Sequence, residues 1–135
     1  MLIRGVNKKD AESLNLLMKE GFGWEDNNDF SQSFFSNKNI FCLVAESEKG
    51  QIMGSSSLHI IEKINRKVGL IEDVVVFKKY RGKSVASTLV SQLISISKKE
   101  GCYKTILNTD SKTIPFYKKL GFTQKNLQLE IRFKF

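Results

Sequence analysis

The spacing of apolar positions changes several times along this chain, and each change marks an element. Residues 40–46 open with an unbroken apolar run, Ile40 to Ala45, and 51–62 form a second apolar stretch; both read as strands. Between them, Glu48-Lys49-Gly50-Gln51 reads as a hairpin turn. A further strand is predicted over 67–77. Residues 83–99 switch to helical spacing. Val85, Ala86, Leu89, Val90, Leu93, Ile94 and Ile96 make an apolar stripe, with Ser87, Ser91, Gln92, Ser95, Lys98 and Lys99 opposite. Gly101 closes that helix. An earlier helix over 8–20 carries Ala11, Leu14, Leu16, Leu17 and Met18, and Gly21 ends its run. Short elements complete the chain: a strand at 2–6, a second helix at 28–36, a strand at 103–108 and a final strand at 126–134. A short helix before that final strand has Pro115 in its first turn and Gly121 just past its end. The expected order is βααβββαβαβ in a single domain, residues 1–135. Early hairpins pair antiparallel and the late strand-helix-strand pairs parallel, so the class is α/β (α+β) with a mixed sheet.

Composition narrows the class. With 41% hydrophobic and 27% charged residues, the chain has ordinary globular usage, which argues against disorder. No apolar run approaches the ~20 residues of a membrane span. The first residues, Met1-Leu2-Ile3-Arg4-Gly5, lack the apolar stretch of a signal peptide, so the expected setting is cytoplasmic, away from membranes. Cys42 and Cys102 show no CxxC spacing and the chain has one histidine, so no metal site is expected. The net charge of +8 attracts anions, among them nucleic acid and phosphorylated small molecules. The lysines are scattered, in pairs at most (Lys78-Lys79, Lys98-Lys99, Lys118-Lys119), with no arginine stripe interleaved with aromatics. A nucleic-acid partner is therefore not expected.

The clearest chemical signal lies at Val74-Val75-Val76-Phe77-Lys78-Lys79-Tyr80-Arg81-Gly82-Lys83-Ser84-Val85-Ala86. A buried strand runs into a small-residue turn that opens a long helix. Free N–H groups and partial positive charge at a helix N-terminus cradle pyrophosphate. Gly82 lets the backbone approach a ligand, and Arg81 and Lys83 add charge. Arg81-Gly82-Lys83-Ser84-Val85-Ala86 resembles the acetyl-CoA loop of the GNAT superfamily, Q/R-x-x-G-x-G/A, with Ser84 in place of a glycine. The resemblance extends through Ile71-Glu72-Asp73-Val74-Val75-Val76, Gly101-Cys102-Tyr103-Lys104, Phe116-Tyr117-Lys118-Lys119-Leu120-Gly121-Phe122 and Ile131-Arg132-Phe133. In that order and spacing, over about residues 69–133, these are similar to the eukaryotic glucosamine-6-phosphate N-acetyltransferases. The loop Glu62-Lys63-Ile64-Asn65-Arg66-Lys67 is shorter than in that family.

This resemblance implies a GNAT fold with a splayed strand pair. It implies acetyl-CoA as co-substrate, direct attack in a ternary complex, and a product, N-acetylglucosamine 6-phosphate, that serves UDP-N-acetylglucosamine biosynthesis. Val74, Val75 and Val76 would line the pantetheine arm, with the Val76 N–H near the thioester oxygen. Arg81, Gly82, Lys83, Ser84, Val85, Ala86, Ser87, Lys118 and Lys119 complete the implied cofactor set, together with Tyr117. Tyr117 is also the implied acid for the leaving thiolate; a phenol suits a thiol of similar basicity. Tyr103, Lys104 and Arg132 resemble the sugar-phosphate ligands, where arginine's fork suits phosphate. Tyr103 and Lys104 would reach the partner's site, which implies a homodimer with shared active sites.

Other roles follow from residue chemistry. Glu72 and Asp73 interrupt an apolar strand and need partners if buried. Strict alternation would send them to opposite faces, so they cannot do the same job; either could accept the ammonium proton or fix sugar hydroxyls. Asn108 stands where some relatives of that family carry Asp; its carbonyl can hold an amine and cannot act as a base. His59 reads as structural, and Trp24, Phe30, Phe34 and Phe35 as helix packing. Two alternatives stay open: a GNAT enzyme for another amine (a polyamine, an antibiotic or a protein lysine), and a CoA-binding module without activity.

Overall fold

The computed structural model describes residues 1–24 and 31–134. Five strands form one mixed sheet in chain order: β1 (Leu2–Gly5), β2 (Ile40–Glu46), β3 (Ile52–Glu62), β4 (Lys67–Val76) and β5 (Lys104–Ile106). The first four pair antiparallel, and β5 runs parallel to β4. The helices are α1 (Ala11–Phe22), α2 (Gln32–Ser36), α3 (Val85–Lys99) and α4 (Ile114–Lys119). The mixed α/β class and the order of elements through α4 thus match the expectation. Residues 28–30 of the expected second helix lie outside the described residues; its remainder is α2.

The alternating apolar positions of the strands split the core in two. Leu43, Ala45, Leu58, Ile60 and Ile71 face Val85, Leu89, Val90 and Leu93 of α3. Val44, Ile52 and Val75 face Leu14 and Leu17 of α1. Leu17, Leu58, Leu89 and Leu93 are fully buried, each stabilising by about 1.5–3 kcal/mol. Arg4 ties β1 to the start of α1. Its two Nη atoms donate to the Asp10 carboxylate at 2.9 Å each, and Nε donates to Glu46 at 3.0 Å. This pairing holds the Asp10 carboxyl below the usual carboxylate range.

Three expectations are corrected. Residues 8–10 form a single 3₁₀ turn, capped by Asn7, before α1 begins. Gly21 does not end α1; the helix runs to Phe22, and Gly23 at φ 71° caps it. Gly21 serves packing instead, since a Cβ there would collide with Val75 Cγ2 of β4. The final strand over 126–134 is not formed. That segment carries strand-like alternation, yet it has no ladder to join, and Leu127, Leu129, Ile131 and Phe133 are 70–94% exposed. A strand needs a hydrogen-bonded neighbour as well as a pattern.

Candidate active site

The site begins at an irregularity in β4. In the β3–β4 register, Ser55 faces Val75 while Ser57 faces Glu72. Ser56 therefore stands against two residues, Asp73 and Val74, which makes a β-bulge. Asp73 takes the left-handed φ of 54° there, and Ser56 and Ser57 hydroxyls both donate to the Glu72 carbonyl, at 3.2 and 3.4 Å. The extra residue breaks the alternation expected of Glu72 and Asp73. Asp73 lines a cavity of about 180 Å³ with Ser57, and Glu72 is Ser57's cross-strand partner. Burial pushes both carboxyls above their ordinary pKa, and the Asp73 charge raises Glu72 further. Carboxylates so placed hold protons nearer to neutral pH, as a base for an ammonium group should. Trp24, Phe34 and Phe35, expected as helix packing, also line this cavity. Phe30 lies outside the described residues.

Beyond the bulge, one edge of β4 is open. Pairing with β5 covers only Val68–Leu70, opposite Lys104–Ile106, while β4 runs on to Val76. Phe77 donates its N–H to Met53 of β3 at 2.9 Å. Backbone groups alternate between edges, so Val76 turns its N–H and carbonyl to the open side. Its carbonyl there accepts from Arg81 Nε at 3.3 Å. The chain then turns through Gly82 at φ 77° and Ser84 at φ 62° into α3, whose N-terminus no side chain caps. Arg81, Gly82, Lys83 and Ser84 are exposed, Ala86 and Ser87 are partly buried, and Val85 is buried. Nothing lies within 4 Å of where a Gly82 Cβ would stand. Uncapped N–H donors, exposed cations and an unobstructed backbone fit a pyrophosphate.

Past β5, Tyr117 on α4 is partly buried against the α3-side core, as are Val74, Ala86 and Leu107. Its ring meets Phe116 and Phe122 edge-on, and burial raises its phenol pKa. Asn108 is exposed where β5 has ended, and Lys118 and Lys119 are exposed on α4.

The phosphate candidates lie elsewhere. Tyr103 donates its backbone N–H to Lys67 at the start of β4. That is six residues, roughly 20 Å at strand spacing, from Asp73. The Tyr103 ring lies beneath Lys104 Nζ, at 5.3 Å, and the Arg66 guanidinium, at 5.5 Å. Hydrogen bonding to Arg66 and then Lys104 lowers its phenol pKa. Arg132 pairs with Glu130 at 3.0 Å in the exposed C-terminal segment. One chain thus gathers Glu72, Asp73, Val76 and the turn into α3 along the later part of β4, and places Tyr103 and Lys104 at its start. Sequence reasoning gives Arg66 and Ser57 no role and reads His59 as structural. A signal for the last two was present: Ser55, Ser57 and His59 alternate with the core residues Leu58 and Ile60.

A bulged, open-edged strand leads into a basic, uncapped helix N-terminus with carboxylates beside it, an arrangement whose donors and charge fit a phosphorylated ligand. Residues 11–122 match the Acetyltransferase (GNAT) family, and the chain belongs to that family. It is 43% identical over 95 residues to a glucosamine 6-phosphate N-acetyltransferase of Trypanosoma brucei brucei, covering 68% of this chain and 63% of that one. It is 35% identical over 98 residues to the enzyme of the same description from Arabidopsis thaliana, covering 70% and 66%. The match thus spans just under two thirds of each relative's length. Among solved structures, a Trypanosoma brucei acetyltransferase superposes with TM-score 0.83 at 33% identity, covering 98% of this chain and 99% of that one. Glucosamine-6-phosphate N-acetyltransferase from Arabidopsis thaliana superposes with TM-score 0.87 at 30% identity, covering 98% of each.

Proposed function

We propose that this chain is an acetyl-CoA-dependent N-acetyltransferase that converts glucosamine 6-phosphate to N-acetylglucosamine 6-phosphate. The observation that carries the reaction type is the Val76 N–H, turned to the open edge of β4 beside the basic turn into α3. The pantetheine arm lies along Val74–Val76, and the turn Arg81–Ser87, with Lys118 and Lys119, takes the phosphates. Glu72 or Asp73 accepts the ammonium proton. The neutral amine then attacks the thioester carbon, and the Val76 N–H receives the developing oxyanion; one such preorganised donor contributes about 3 kcal/mol. The carbon–sulfur bond breaks and Tyr117 gives its proton to the thiolate; the acylated nitrogen loses its surplus proton, which restores the phenol through solvent, leaving the amide, CoA thiol and a neutral Tyr117. Asn108 holds the amine by its carbonyl.

The relatives' descriptions support the sugar phosphate as acceptor. Tyr103, Lys104 and Arg132 hold its phosphate in a homodimer. Two features favour a second copy: Tyr103 and Lys104 stand far along β4 from their own carboxylates, and Leu127, Leu129 and Ile131 alternate, exposed, in a segment that joins no strand among the described residues. No nucleic acid enters this reading. Among the described residues no helix is long and apolar enough to cross a membrane. Cys42 and Cys102 are free thiols, which suits the reducing cytoplasm.

Thiol release measured across glucosamine 6-phosphate, glucosamine, a polyamine, an aminoglycoside and a lysine peptide tests the proposal. The phosphorylated sugar should react roughly 30–150-fold better than glucosamine, the worth of a charge-assisted pair. Equal rates on the two sugars would remove the sugar-phosphate reading. Absence of thiol release from every amine would remove the acetyltransferase reading.

A further inference from the structure

His59 is the one histidine of the chain. On β3 it stands opposite Leu70 of β4 and Ile40 of β2, half-buried. Its Nε2 lies 3.0 Å from Ser57 Oγ. The same hydroxyl reaches the Glu72 carbonyl at 3.4 Å, beside Ser56 Oγ at 3.2 Å. That carbonyl is where the bulge begins, and the next residue is Asp73 at φ 54°. The Phe34 ring of α2 lies 6.4 Å from the imidazole, between centroids.

We propose that His59 is a positioning residue for acetyl transfer, acting through Ser57 on the bulge that presents Glu72 and Asp73 to the acceptor amine. This rests on the acetyltransferase reading. A hydroxyl has one proton to give. When Nε2 carries a proton, it donates to Ser57 Oγ, and Ser57 gives its own proton to the Glu72 carbonyl. When Nε2 is bare, Ser57 donates to His59, and the bulge carbonyl keeps Ser56 alone. The state of one imidazole therefore decides whether two hydroxyls or one hold the bulge. As a cation, His59 also opposes the upward push that burial gives both carboxyls. Asp10, at the start of α1, is paired with Arg4 and reaches this face only as a charge felt by Cys42. Cys42 of β2 is a thiol pushed up to about 11 by burial, hence neutral, and α2 presents Phe34. From α1, the cavity receives Leu14 and Met18. Asp73 is the charged residue among the described ones lining the cavity, and both Glu72 and Asp73 feel the His59 charge.

The test compares kcat and kcat/KM for glucosamine 6-phosphate across pH 5.5–9 in wild type, His59→Gln, His59→Leu and Ser57→Ala. Thermal unfolding is followed on the same samples. A glutamine amide still donates to Ser57 but never carries charge. His59→Gln should keep kcat within about threefold, while the acid limb of kcat/KM moves to higher pH. His59→Leu should lose roughly tenfold in kcat, the scale of one hydrogen bond, with KM for acetyl-CoA unchanged. Ser57→Ala should match it. Superimposable profiles for wild type and all three variants would overturn the proposal. So would equal losses in the Gln and Leu variants that track lowered melting temperatures, since that marks a packing role. A wild type that releases thiol with no amine overturns the acetyltransferase reading and this inference with it. An active wild type with indifferent variants overturns this inference alone.

Discussion

Ser84 and Asp73 are the residues other than glycine that hold positive φ among those described, at 62° and 54°. For an L residue the left-handed region costs roughly 1–2 kcal/mol, part of which glycine forfeits again through its looser unfolded chain. Ser84→Gly should therefore raise stability by about 0.5–1 kcal/mol, seen as a melting point roughly 2–4 °C higher. Acetyl-CoA affinity by calorimetry should hold or improve; a lowered melting point would contradict the strain. The same change at Asp73 would also relieve strain but would delete a carboxyl. Tyr117 supplies a second residue-level expectation. Burial raises its pKa, so the phenol stays protonated through neutral pH and beyond the ordinary tyrosine range. The acid form is thus the resting form, and Tyr117→Phe should lower kcat by about 10²-fold while acetyl-CoA binding stays within about twofold. An unchanged kcat from pH 6 to 9 would show the hydroxyl to be idle. The sequence exposes Ser84 because a glycine is missing from a pattern. It could not expose the φ of Asp73, because a bulge depends on how two strands pair.

Among the elements, α3 is the most legible, since its apolar stripe and Gly101 are both written in the chain; it starts two residues later than spacing alone implied. Strand existence was legible too, through apolar runs bounded by turns. Three features were not, each set by contact between distant segments. The β4 bulge needs the serines of β3. The final strand needs an edge to join. Gly21 looks like a helix stop, yet its purpose lies in β4, where Val75 Cγ2 occupies the space of a Cβ. Gly21→Ala removes a glycine from a helix interior, worth about 1 kcal/mol of propensity in isolation. Here the clash should reverse that sign, costing about 1–3 kcal/mol through a displaced Val75. Chemical denaturation checks it, and a stabilised variant would mean that α1 and β4 separate freely. Because Val75 precedes Val76, acetyl-CoA affinity should fall with stability.

At the scale of the whole molecule, one sheet carries a cationic cluster and a carboxylate-bearing bulge at opposite ends of β4. Arg66, Tyr103 and Lys104 gather where β4 starts, and the bulge and open edge lie where it finishes. The proposed dimer joins the start of one copy to the finish of the other. Mixing inactive Lys104→Ala chains with inactive Glu72→Ala chains, with exchange allowed, should regenerate about a quarter of wild-type sites, since half the random pairs are mixed and each mixed pair holds one intact site. No recovery despite confirmed exchange would place both ends in one chain's site. The separation along β4 also bears on inheritance. A chain carrying both lesions at once would leave every site of a mixed pair with one defect, so it would silence its healthy partner. The two lesions borne on separate chains would be partly forgiven. In a cell making both kinds of chain, the double variant would behave as dominant, and either single variant as nearly recessive.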